Sequence, residues 1–296
     1  MSRVHDAMRR AELLGGSGPA GGETPAGASA SSVAEDAPRR LVTPDAGLIE
    51  QIQVVPFTPA PEALLIDHDR PQEAPSEEFR SLRTRLNHLQ TLQPIHTVVV
   101  TSPSPAEGKS FAAANFAISE SHLAGNMVLL VDFDFRRPVI HNLFQVERAP
   151  GATDFLLGNA PLAACLKRVA GTNLFLMTAG TSVKNPLELL SLQQVKGLFQ
   201  DLPKWFNWVI LDSPPLLFSA DANLLGTLTD GTILVVRIGA TTIDMVHRAM
   251  QSLCENNMLG IIVNGARAGE LYSKYTYYYS KYGHEAKPEP EADPAD

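Results

Sequence analysis

At 296 residues, 44% apolar and 19% charged, the chain holds enough material for one large domain or two small ones. Its net charge of −8 at pH 7 lacks the basic footprint that general nucleic-acid binding requires, so nucleic acid is not an expected partner. Two cysteines, Cys165 and Cys254, lie far apart in helical-looking apolar contexts and read as buried reduced thiols, and the eight histidines show no metal-type pairing.

The chain opens with MSRVHDAMRRAELL, which can place Val4, Met8 and Ala11 on one side of a short helix but lacks the apolar core of a signal peptide. From Gly15 to Arg40 it is rich in Gly, Ala, Ser and Pro, with almost nothing to bury, so residues 1–48 are expected to be disordered around that short helix. No run reaches membrane-spanning length, and a cytosolic protein is expected. Residues 49–94 form an N-terminal extension. Within it, EEFRSLRTRLNHL places Phe79, Leu82, Leu86 and Leu89 on one helical face and spaces Glu77, Arg80 and Arg83 by three on another. Taken alone, that second face reads as solvated charge.

From His96 onward, the apolar runs HTVVVTS, MVLLVDF, LFLMTAG, WVILDSPP, TILVVRIG and MLGIIVNGA alternate with helical patterns at Lys109–Ala124, Pro186–Leu202, Ala220–Leu228 and Thr242–Asn257. Runs without polar alternation fit strands buried on both faces. The expectation over residues 95–270 is therefore an α/β, doubly wound, mostly parallel sheet, whose ligands bind at the carboxyl ends of the strands.

Several chemical residues gather at that edge. TSPSPAEGKS (Thr101 to Ser110) lies between a strand and a helix, where backbone N–H groups face an anion. Pro105, Ala106, Glu107, Gly108, Lys109, Ser110 and Phe111 would wrap phosphates, with Lys109 facing solvent to reach them and Ser110 ligating Mg²⁺. The strict phosphate-loop pattern fails at Pro103, where it wants glycine. VLLVDFDFRRP ends a strand with Asp132 and Asp134 two apart, so both can face one cation or hydroxyl, followed by Arg136. VILDSPP closes another strand with Asp212, and the last strand ends near Asn264. Each motif alone reads as an ordinary strand end, but their order along one edge argues for a nucleotide site.

All six tyrosines fall in LYSKYTYYYSKYGHE: Tyr272, Tyr275, Tyr277, Tyr278, Tyr279 and Tyr282. Tyrosine used for packing would be spread through a core, and this cluster runs into the acidic, proline-rich KPEPEADPAD, so residues 271–296 are expected to be a flexible tail.

These motifs together resemble the bacterial tyrosine kinases of capsule and exopolysaccharide synthesis, over about Pro71 to Tyr282 and including NPLELLS and LGIIVNGA. The resemblance implies a phosphate-loop NTPase fold of the ParA/MinD type. It also implies ATP and Mg²⁺ as cofactors, with Lys109, Asp132, Asp134 and Arg136 in catalysis. Ser110, Asp132 and Asp212 would hold the metal, the six tyrosines would be phosphoacceptors, and Glu77, Arg80 and Arg83 would contact another subunit of a homo-oligomer or ring. A separate membrane-spanning modulator, which recruits the protein to the inner membrane face, and a cognate tyrosine phosphatase are the further partners implied. Two departures stand out: Ala106 replaces the usual glycine, and Phe111 the usual threonine. The alternatives are a ParA/MinD-type positioning ATPase, which would carry an extra lysine where this chain has Ser104, and a catalytically weak scaffold.

Overall fold

The computed structural model describes residues 46–59, 63–66, 75–191, 193–253 and 258–266. All of these belong to one compact unit, Arg40–Asp296. Of the stretch expected to be disordered, 1–48, residues 1–45 lie outside the described residues, as do Cys254 and the tyrosine cluster, while its last three residues start the helix Ala46–Glu50.

Eight strands form one sheet: β1 (Gln53–Val55), β2 (Thr97–Thr101), β3 (Val128–Asp132), β4 (Leu166–Val169), β5 (Leu174–Met177), β6 (Trp208–Asp212), β7 (Gly231–Arg237) and β8 (Met258–Asn264). Their spatial order is β1-β4-β5-β3-β6-β2-β7-β8. Pairing is parallel except between β4 and β5. The central strands β2, β3 and β6 are buried at every position, as their unbroken apolar runs require of strands covered on both faces.

Ten α-helices are described: α1 (Ala46–Glu50), α2 (Ser76–Leu92), α3 (Lys109–Ser121), α4 (Ile140–Leu143), α5 (Ala152–Leu156), α6 (Leu162–Cys165), α7 (Pro186–Leu190), α8 (Gln193–Asp201), α9 (Ala220–Leu228) and α10 (Ile243–Ser252). On one face of the sheet, α3 is sandwiched between the strands and α2. Ala112, Ala113, Ala114 and Ala117 are buried there with Phe116 and Ile118, in a core that also takes Phe79 and Leu86 of α2. Small side chains let α3 lie close to the sheet, and a helix buried on nearly all sides needs no polar face. The opposite face is filled by Leu156, Leu189, Leu190, Val195, Leu198 and Phe199 against Leu129, Val131, Val209 and Leu211.

Two expectations differ from what is found. The helical pattern at Pro186–Leu202 is two helices, α7 and α8. Ser191 ends the first, its hydroxyl bonding back to Leu187 O at 3.0 Å, a side-chain contact that competes with continued helix. The N-terminal extension also contributes a strand: β1 pairs with β4, placing residues of the 49–94 segment in the same sheet as the rest.

The amino edge of the sheet is closed by polar side chains. Asp230 Oδ2 accepts hydrogen bonds from His96 N, Thr97 N and Thr97 Oγ1 at 2.8, 2.8 and 2.9 Å, and Asn207 Oδ1 accepts from Met127 N at 2.9 Å. The fully buried Glu120 accepts from Asn87 Nδ2 at 2.9 Å and Asn126 Nδ2 at 2.8 Å. Trp208 Nε1 donates to Asn87 Oδ1 at 3.3 Å, tying α2 and α3 to the start of β6.

Candidate active site

The residues singled out in the sequence gather at the carboxyl edge, and β2, β3 and β6 bring them together because they are central and adjacent. Gly108 precedes α3 with φ +95°, and a Cβ there would lie 2.0 Å from Asn264 Nδ2. Only glycine fits on both counts. Asn264 Nδ2 donates to Glu107 O at 2.9 Å, so the end of β8 buttresses the loop in front of α3. Glu107 is itself buried. Its Oε2 accepts from Ser104 N at 2.8 Å and its Oε1 from Thr241 Oγ1. Ala106, where the resembled family usually has glycine, adopts φ +62°, a left-handed conformation that costs alanine about 1 kcal/mol relative to glycine.

Lys109 begins α3 and turns inward. Its Nζ lies 2.8 Å from Asp134 Oδ2, 3.6 Å from Asp212 Oδ1 and 3.0 Å from Ser110 Oγ. The expectation of a solvent-facing lysine is corrected here, since its side chain is only 12% exposed. Burial pushes its pKa down, but the carboxylates of Asp212 and Asp134 outweigh that and hold it above the ordinary lysine value.

The three acids have different surroundings. Asp212 is fully buried, and neither carboxylate oxygen has a hydrogen-bond partner. Burial raises its pKa while Lys109 opposes the rise. Asp132, at the end of β3, spends both oxygens on backbone N–H groups. Oδ1 accepts from Asp134 N, and Oδ2 from Val139 N and Ile140 N, each at 3.1 Å. It thereby shapes the turn that carries Asp134. Burial, followed by the Asp212 charge, pushes Asp132 up to about 8. Asp134 accepts from Arg137 N at 3.0 Å through Oδ1 and presents Oδ2 to Lys109.

Arg136 is not directed at Lys109 and the acids. Its Nε and Nη2 donate to Asp221 Oδ2 and Oδ1 at 2.9 and 3.3 Å, a two-pronged contact that commits the guanidinium to the first turn of α9. Sequence reasoning missed Asp221, although its place after Ser219, which caps α9, is the available signal. Pro105 and Phe111 flank the loop, and the Phe111 ring packs on Phe79 of α2 at 5.9 Å between centroids. Away from this edge, Arg80 pairs with Glu77 at 2.8 Å on an exposed stretch of α2, while Arg83 Nη1 donates to Ser119 O of α3 at 2.8 Å.

A buried carboxylate with two unsatisfied oxygens beside a hydroxyl and an ammonium fits a divalent cation and a polyphosphate. Among the described residues, no group of three or more Asp, Glu, His or Cys side chains is arranged to hold a metal ion by itself, and no helix is long and apolar enough to cross a membrane.

No family model matches the chain. It is 35% identical over 213 residues to tyrosine-protein kinase YwqD of Bacillus subtilis (strain 168), covering 71% of this chain and 89% of that protein. Among solved structures, the kinase domain of Escherichia coli tyrosine kinase ETK matches with a TM-score of 0.64 and 30% identity, over 68% of this chain and 80% of that one. The septum site-determining protein MinD from Pyrococcus horikoshii OT3, complexed with Mg-ADP, matches at a TM-score of 0.50 and 18% identity over 57% of this chain and 70% of its own. That last likeness shows the fold alone, a mostly parallel sheet with helices on both faces.

Proposed function

This chain belongs to the bacterial tyrosine-protein kinases, and from that premise we propose that it transfers the γ-phosphoryl group of ATP to tyrosines of its own C-terminal cluster, largely between subunits. The observation that carries the site assignment is Lys109, held at the start of α3 between Asp134 and an Asp212 whose oxygens have no hydrogen bond.

The loop from Pro105 to Phe111 and the N-terminus of α3 receive the phosphates, as backbone N–H groups at a helix start suit anions. Asp212 and the Ser110 hydroxyl hold Mg²⁺, which when bound neutralises charge on the β- and γ-phosphates. Asp132, its oxygens taken by backbone amides, supports this set from behind rather than as a direct ligand. Lys109 exchanges Asp134 for phosphate oxygens as ATP enters. Asp134, released, accepts the phenolic proton while the tyrosine oxygen bonds to the γ-phosphorus and the bond to the β-phosphate oxygen breaks. Tyrosine has an ordinary pKa of about 10, so a positioned base matters. Arg136, already paired with Asp221, positions the turn after Asp134.

Glu77 and Arg80, exposed on α2, form the subunit contact, and Arg83 ties that helix to the end of α3. The acceptor tyrosines are Tyr272, Tyr275, Tyr277, Tyr278, Tyr279 and Tyr282 on a neighbouring subunit. The cellular role is regulation of exopolysaccharide or capsule synthesis or export. A separate membrane-spanning modulator brings the protein to the inner membrane face, and a cognate phosphatase reverses the reaction.

The test is to incubate purified protein with ATP and Mg²⁺ and map phosphotyrosine, comparing Lys109→Met and Asp134→Asn. The reading requires no labelling in the first, and intact Mg-ATP binding with reduced labelling in the second. Phosphate released to water with no phosphotyrosine overturns it.

A further inference from the structure

We infer that Arg237 and Thr241, at the turn between β7 and α10, are positioning residues that hold the phosphate-binding loop in shape and replace the conformational freedom lost where Ala106 stands for glycine. This rests on the assignment of that loop as the nucleotide site.

The contacts run from the turn to the loop. Arg237 Nη1 donates to Ala106 O at 3.1 Å, fixing the peptide that follows the left-handed residue. Thr241 Oγ1 accepts from Arg237 N at 2.8 Å and donates to the buried Glu107 carboxylate, whose other oxygen holds Ser104 N. Thr241 N closes the turn on Arg237 O at 2.9 Å, so both residues move as one piece. The stem of Arg237 lies over Gly265, where a Cβ would sit 3.4 Å from its Cγ, and Ile238 N donates to Asn264 O at 3.0 Å. The turn is thus braced by the strand whose Asn264 supports Glu107 O from the other side.

The need for such a brace follows from residue chemistry. Glycine occupies positive φ about as readily as negative, whereas alanine relaxes towards negative φ unless something holds it. At position 106 the hydrogen bond to the carbonyl opposes that relaxation, and the Glu107 carboxylate locks the next residue. The brace and the alanine are therefore energetically coupled: removing the arginine matters more when residue 106 is alanine than when it is glycine.

A double-mutant design tests this in the full chain. Arg237→Ala and Thr241→Val are each made with alanine and with glycine at 106, and Thr241→Ser serves as the conservative rescue. With Ala106, each single variant weakens Mg-ATP binding, read by calorimetry, about fivefold, the loss expected for one hydrogen bond. Thr241→Ser binds as the parent does, and with Ala106→Gly the Arg237→Ala loss shrinks to less than about twofold. Hydrogen exchange on the nucleotide-free protein gives a second readout: amides of the 104–108 segment exchange faster in Arg237→Ala and return towards the parental rate when glycine is added at 106. Equal losses in both backgrounds, or unchanged loop exchange in Arg237→Ala, overturn the inference. If the parent binds no Mg-ATP, the site assignment falls and the exchange measurement alone decides the bracing.

Discussion

The two edges of the sheet are made of similar residue types put to opposite ends. At the amino edge the acids are satisfied: the half-buried Asp230 takes three hydrogen bonds and the buried Glu120 takes amides from both Asn87 and Asn126. At the carboxyl edge, Asp212 has none, Asp132 is pushed up to about 8 and Ala106 sits at positive φ. Satisfied polar networks rigidify a fold, whereas unsatisfied groups and backbone strain are stored where a ligand can relieve them. The acids of the amino edge serve the fold, and the carboxyl edge is where the proposed reaction draws its groups.

The contrast breaks most visibly at Asp212. Asp212→Asn is expected to cut Mg-ATP-dependent phosphotyrosine formation more than about 100-fold, the effect of losing the carboxylate proposed to hold the Mg²⁺ that neutralises the reacting phosphates. It should at the same time raise the melting temperature of the ligand-free protein, by the equivalent of about 1–2 kcal/mol, because one of three buried acids crowded around the single Lys109 ammonium loses its charge while Asp134 keeps the lysine paired. Thermal scans beside a labelling assay read both, and a falling melting temperature would place Asp212 among the stabilising groups.

Glu120→Ala should do the reverse. It removes the carboxylate that accepts from the half-buried Asn87 and the buried Asn126, the latter keeping its bond to the main-chain O of residue 120, and is expected to cost about 2 kcal/mol in denaturant unfolding, while Mg-ATP affinity stays within about twofold. Loss of nucleotide affinity as large as the loss of stability would erase the distinction between edges.

The third expectation concerns pH. Asp132 is raised from an ordinary 3.8 to about 8, so between those values the folded state holds a proton that the unfolded state has released. Stability of the ligand-free protein should therefore fall as pH rises towards 8, by up to about 1.4 kcal/mol per unit, and level off above it. Melting temperatures from pH 5.5 to 9 test this, with Asp132→Asn expected to flatten the slope.

The smallest effect belongs to Asp154, near the end of β5. Its carboxyl is held below the usual range: burial pushes it up, but hydrogen bonds from Thr181 and Gly151 N outweigh that. Asp154→Asn should cost about 0.5–1 kcal/mol at pH 6. That difference should fade as pH falls through the depressed pKa, where the parent also loses its charge.

The legible parts of this molecule are those whose signal is local. The apolar runs of β2, β3, β6 and β7 mark buried strands, and EGKS and the strand-ending acids mark one edge. Strand β1 is only three residues, QVV, and β4 is LKRV with a buried lysine; neither offers an apolar run to read. The inward turn of Lys109 depends on three acids from two distant strands, and the choice of Arg136 for Asp221 depends on where α9 starts. The turn at Arg237 and Thr241 carries no motif, because its partners Ala106 and Glu107 are brought to it only by the pairing of β2 with β7. Nothing local encodes such contacts.

The position a side chain at 108 would occupy is filled by the amide of Asn264, and this has a consequence for descent. Two sites far apart in the gene cannot drift separately: any residue larger than glycine at the first collides with the second, and a smaller residue at the second removes the support from Glu107 O. Shrinking residue 264 alone does not free position 108, because its φ of +95° still favours glycine. A mutation conferring escape from an inhibitor of this pocket would find that route closed in a single step.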